Sequence, residues 1–130
     1  MATNPNLRSV IRIKTMARAA IPDTETVHSD TAWEMAKAYE RLREEARKLS
    51  ENAGWDSGDE FDAEMPPIRF PEVPGNARPL GRRARVLLGQ LAGWAEGHQE
   101  AFELEARFKA DAEAKQRAAA EAQRPTPGFR

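Results

Sequence analysis

The stretch Leu80–Gln123, LGRRARVLLGQLAGWAEGHQEAFELEARFKADAEAKQRAAAEAQ, contains no proline and decides the fold. Leu80, Ala84, Leu87, Leu91, Trp94, His98, Ala101 or Phe102, Glu105 and Phe108 recur at three- and four-residue spacing, which is one stripe along a helix. A helix starting at Pro79 or Leu80 and ending at Gln123 would be on the order of 65 Å long at 1.5 Å per residue. A compact chain of 130 residues has a radius of gyration near 14 Å. The sequence therefore predicts a helix that projects from its own fold. Beyond Phe108 the stretch offers only alanines as apolar residues. Lys109–Gln123 is expected either to be solvated or to pack against another copy.

Glycine and proline draw the rest of the map. Residues 54–79 hold Gly54, Gly58 and Gly75 with Pro66, Pro67, Pro71, Pro74 and Pro79, too dense for one continuous helix or a central strand. The first half of this connection is acidic (Asp56, Asp59, Glu60, Asp62, Glu64), with room for a short helix around Asp59–Met65. Its second half carries Ile68, Phe70 and Val73 between prolines, and Ile68 and Phe70 are expected to pin it across the helices. Upstream, Asp30–Ala53 is free of both breakers. Thr31 and Glu34 read as a capping box, and Ala32, Met35, Tyr39, Leu42, Ala46, Leu49 and Ala53 form a heptad-like seam. Arg41, Arg43, Glu44, Glu45, Arg47 and Lys48 fall on the other faces, and Gly54 suits a helix end. A first helix is expected from Pro5 to Ala20, carrying Leu7, Val10, Ile11, Ile13 and Met16, with Pro5 at its start and Pro22 beyond its end. The predicted class is all-α: a small helical bundle over 5–123 with one very long C-terminal helix, flanked by flexible residues 1–4 and 124–130.

Composition narrows the chemistry. Twenty Lys and Arg against twenty-one Asp and Glu give a net charge of −1, which supplies no bulk attraction to nucleic acid or an anionic membrane. Without cysteine there is no disulfide scaffold, thiolate metal site or cysteine nucleophile. No apolar run reaches the 18 residues or so needed to span a bilayer, and the first twenty residues lack the apolar centre of a signal peptide. A cytoplasmic protein is expected. No carboxylate dyad, nucleophile elbow, P-loop or zinc spacing is present, and no Glu-x-x-His pair supports a di-iron site. The reading is a non-enzyme without cofactor or metal.

Three features remain. Gly89, Gly93 and Gly97 recur every four residues inside the long helix, where each glycine costs about 1 kcal/mol relative to alanine. Close approach of a neighbouring helix, within the chain or from another subunit, would offset that cost. His98 lies on the seam four residues after Trp94 and is expected to be partly buried and satisfied rather than a ligand. Arg78, Arg82, Arg83 and Arg85 form the densest basic cluster. Pairing with the acidic 56–64 segment or with another subunit is expected there, and a grip on nucleic acid would instead give steeply salt-dependent binding.

Gln90-Leu91-Ala92-Gly93-Trp94-Ala95-Glu96-Gly97 resembles the long-helix signature, Gln-Leu-x-Gly-Trp-x-Glu-Gly, of the bacterial proteasome activator family of actinobacteria. Val10-x-Arg12-Ile13-x-Thr15-Met16 is similar to that family's first-helix segment, and the likeness covers most of residues 8–123. It implies a small helical bundle that assembles into a twelve-membered ring. Such a ring caps the proteasome core particle without ATP, opens its gate and admits unfolded protein clients. Gly89, Leu91, Gly93, Trp94, Gly97 and Phe102 are expected to form an oligomer or helix-packing interface, and a ring would bury the glycine stripe and the projecting helix. Family members dock through a C-terminal tail ending Gly-Gln-Tyr-Leu, whereas this sequence ends Pro125-Thr126-Pro127-Gly128-Phe129-Arg130. Docking would fall to Gly128, Phe129 and Arg130, with Phe129 as the penultimate aromatic. The alternative from the same features is an oligomeric helical scaffold or adaptor unrelated to proteolysis.

Overall fold

The seam read along residues 32–49 is the core-facing side of α2 (Ser29–Ala53). Ala32, Met35, Tyr39, Leu42, Ala46 and Leu49 are each at most 9% exposed. The computed structural model describes residues 4–23, 29–68 and 77–123; these are 88% helical, and no strand occurs among them. Besides α2 there are α1 (Pro5–Ala19), α3 (Gly58–Glu64) and α4 (Ala77–Gln123). This is the all-α class with a long C-terminal helix that the sequence predicts.

Helix α1 opens with the Asn4 side chain accepting from the Asn6 amide at 2.9 Å, and Pro5 occupies the first turn, where its missing N–H costs nothing. Val10, Ile13 and Ala17 face inward, while Ile11 is 38% exposed. The helix packs on α2, and Arg12 reaches Glu45 at 2.6 Å.

Helix α2 begins two residues earlier than its expected capping box, so Thr31 lies within the first turn and does not cap it. Nothing in Ser29-Asp30 opposes a helix there, and an acidic residue in the first turn suits the dipole. The C-terminal end is as the sequence reads it. Gly54 adopts φ +73°, its amide donates to Glu51 O at 3.2 Å, and the Trp55 amide donates to Ser50 O at 3.0 Å. This pair of bonds is a Schellman motif, and it turns the chain sharply toward α3.

The acidic connection holds its own helix. Ser57 caps α3 by accepting from the Glu60 amide at 3.2 Å, so Ser57-Gly-Asp-Glu60 supplies the cap. Phe61 is fully buried. Basic residues of α2 hold the segment down. Arg43 donates to Met65 O at 2.6 Å and pairs with Asp62, and Arg47 reaches Asp62 at 3.1 Å. Arg43 is 7% exposed, which corrects its placing on an outer face: its guanidinium is tethered at both ends and lies 5.9 Å from the Phe61 ring. The Tyr39 hydroxyl donates to Pro66 O at 2.7 Å, and the Ile68 amide donates to Glu40. Ile68 is buried, as expected of a pinning residue; Phe70 and Val73 lie outside the described residues. Asp62 of the acidic segment therefore pairs with α2, while Arg78, Arg82 and Arg83 are exposed and make no ion pair with that segment among the described residues. Arg85 donates to Pro22 O at 3.2 Å.

Helix α4 tolerates Pro79 because it falls in the first turn. The chain divides into two units, Met1–Gln99 and Glu100–Arg130, where the sequence suggests one bundle domain over 5–123. Within the first, Leu80, Ala84, Leu87, Leu88, Leu91, Ala92 and Ala95 are buried. In the second, Glu100–Gln123 is exposed at every residue except the half-buried Phe102. The predicted seam positions Glu105 and Phe108 thus face solvent, because alanine and charge leave that segment nothing with which to form a core.

Candidate functional site

Two residue groups in the first unit stand out, one packed and one open. The packed group is aromatic. Gly54 delivers Trp55 onto α4, where its ring stacks on His98 with centroids 3.9 Å apart and planes 13° from parallel. Trp94, one turn earlier, meets His98 edge-on at 4.7 Å, Phe61 at 5.6 Å and Trp55 at 5.9 Å. Such edge-to-face and offset pairs each add about 0.5–1.5 kcal/mol beyond area burial. Burial lowers the His98 pKa below its ordinary value, and Asp56 opposes that shift. The Trp94 indole N–H is buried without an acceptor among the described residues. His98 is a packed aromatic here. Among the described residues, no group of three or more His, Asp or Glu could hold a metal ion.

The open group is the opposite face of the same helix. A hundred degrees per residue places Val86, Gly89, Gly93 and Gly97 together, and all four are exposed, Val86 to 58%. A Cβ built on Gly89, Gly93 or Gly97 would meet nothing within 4 Å. Packing among the described residues therefore does not account for the glycines, which corrects that half of the expectation for them: no described helix approaches their backbone. Leu91 points the other way and is wholly buried, and Trp94 is half-buried. The six interface residues expected from sequence thus separate. Gly89, Gly93 and Gly97 lie on the open face, Leu91 and Trp94 serve the core, and Phe102 belongs to the second unit.

Val86 is the apolar member of the open face that sequence reasoning passed over. It directly precedes Leu87 and Leu88, and its signal is its three-residue step to Gly89. The α1 segment Val10–Met16 and the α4 segment Gln90–Gly97 are neighbours in space. Lys14 bonds to Gln99, two residues past Gly97, and Arg18, two residues past Met16, reaches Glu96 at 2.8 Å. Elsewhere, a groove of about 360 Å³ runs between α1 and α2 beside Asn6, Ser9, Lys48 and Asn52. The Arg12–Glu45 pair already satisfies its strongest charges. Gly128, Phe129 and Arg130, expected from sequence to dock, lie outside the described residues. No helix among the described residues is long and apolar enough to cross a membrane. No family model, curated protein or solved structure matches this chain.

Proposed function

We propose that this protein is a non-enzymatic, ring-forming activator similar to the bacterial proteasome activators. It binds the proteasome core particle, opens its gate without ATP and admits unfolded protein clients in the cytoplasm. The observation that carries this reading is the juxtaposition of its two family-like segments. Val10–Met16 and Gln90–Gly97 are far apart in sequence, yet Arg18–Glu96 and Lys14–Gln99 tie their helices together. The reading requires the two segments to belong to helices that pack together, and these bonds meet that requirement.

The open face of α4 supports assembly. Three helix-interior glycines would each cost about 1 kcal/mol relative to alanine, and no contact among the described residues offsets that cost. A neighbouring subunit laid along Val86, Gly89, Gly93 and Gly97 would gain close backbone contact, in the manner of small-residue helix interfaces. Leu91 and Trp94 hold that face in place from the core side.

Docking is tested by adding Gly-Gln-Tyr-Leu after Arg130 and measuring peptide hydrolysis by an actinobacterial core particle. The extended chain is expected to stimulate hydrolysis without ATP, and a Tyr-to-Ala change in the added tail is expected to abolish the effect. A grafted chain that leaves hydrolysis unchanged would overturn the activator reading in favour of the oligomeric scaffold.

A further inference from the structure

The second unit carries an apolar stripe of its own. Leu104 and Phe108 are 47% and 64% exposed, and every described residue of 100–123 except Phe102 is open to solvent. Taken in heptads, this helix places Ala101, Leu104, Phe108, Asp111, Lys115, Ala118 and Ala122 along one seam. After Ala101, Leu104 and Phe108 put large side chains in its first half and alanines fill its second, with one acid and one base between them.

That order is self-complementary when reversed. We propose that residues 100–123 pair antiparallel with the same segment of a second copy, centred between Asp111 and Lys115. In this register Phe108 of each copy packs on Ala118 of the other, and Leu104 packs on Ala122. Asp111 faces Lys115 across the seam, twice by symmetry. On the flank, Arg107 falls opposite Glu121. Large thus meets small and acid meets base along the whole contact. A parallel, in-register pairing would set Asp111 against Asp111 and Lys115 against Lys115, and like charges directly opposed at a seam oppose association. Charges at seam positions weaken a helix pair but specify its register and direction.

The pairing is isologous, with one two-fold axis, and does not depend on the ring reading. Since the chain has no cysteine, single introduced thiols test it in the full-length protein. Ala114→Cys lies beside the proposed axis, whereas two Ala122 positions would be about 27 Å apart at 1.5 Å per residue. With a short bis-maleimide, A114C is expected to give mostly linked dimers and A122C almost none. Adding Asp111→Lys to A114C should cut linking several-fold, and adding Lys115→Asp on top should restore it. Linking of A122C in place of A114C, failure of both to link, or indifference to Asp111→Lys would each overturn the proposal.

Discussion

Gly54 carries more of the fold than its size suggests. Its φ of +73° closes the end of α2 and sends Trp55 onto His98. An L-residue in that conformation costs about 1–2 kcal/mol. Gly54→Ala is therefore expected to destabilise the protein by about that amount in thermal or denaturant unfolding, with weaker quenching of Trp55 by His98. His98 itself gives a pH signature. Burial lowers its pKa in the folded protein, so the fold favours the neutral ring. Its contribution is complete above the unfolded value near 6.5 and is lost as pH falls through the lowered folded value. The fall in Tm between about pH 7.5 and pH 5 should be smaller in His98→Phe, which keeps a stackable ring and cannot titrate; an equal fall would show that other groups carry the acid sensitivity. At this scale the sequence is legible where a residue's role is local. Gly54 as a helix end follows from chirality alone, and the Ser57–Glu60 cap was there to be read. The burial of Arg43 was not, because its tethers, Asp62 and the Met65 carbonyl, come from across the turn.

Helices α2 and α4 could be read far more fully than the segment between them. Spacing in α2 identifies the buried face residue by residue, since a helix core is a periodic property of its own sequence. The same spacing in α4 continues to Phe108, but burial stops near Gln99 because the alanines and charges beyond it supply no core. In that exposed segment Glu103–Arg107, Glu105–Lys109, Asp111–Lys115 and Glu113–Arg117 all stand acid-before-base four residues apart. Each such pair supports a helix by about 0.2–0.5 kcal/mol, which together with many alanines explains a helix without a core. The open glycines give the sharpest prediction at this scale. In the isolated protomer Gly93→Ala should raise stability by up to about 1 kcal/mol, since nothing obstructs the new methyl group. If the face seats a neighbouring subunit, the same change should weaken assembly. Opposite effects on unfolding and on self-association, measured on one variant, identify the face as an interface; a gain in stability with unchanged association would show that it is merely solvated.

At the scale of the whole molecule, buried residues on α2, α1, α3 and the first half of α4 coexist with an open helix face and a helical segment exposed at every described residue but Phe102. The glycines, Val86, Leu104 and Phe108 that this 14.5 kDa chain leaves in water are the residues that the proposed assembly would cover. The sequence could show that these residues were available, but burial by another copy is not encoded in any single chain's periodicity. The measurement that bears most directly on the ring is the native mass in solution, by light scattering or native mass spectrometry. Twelve copies of the 14.5 kDa chain amount to about 174 kDa for a closed ring, doubled where paired tails join two rings, and Gly93→Ala should lower it. A monomer, or a dimer that falls apart on Asp111→Lys, would contradict the ring, and the dimer would leave only the tail pairing standing.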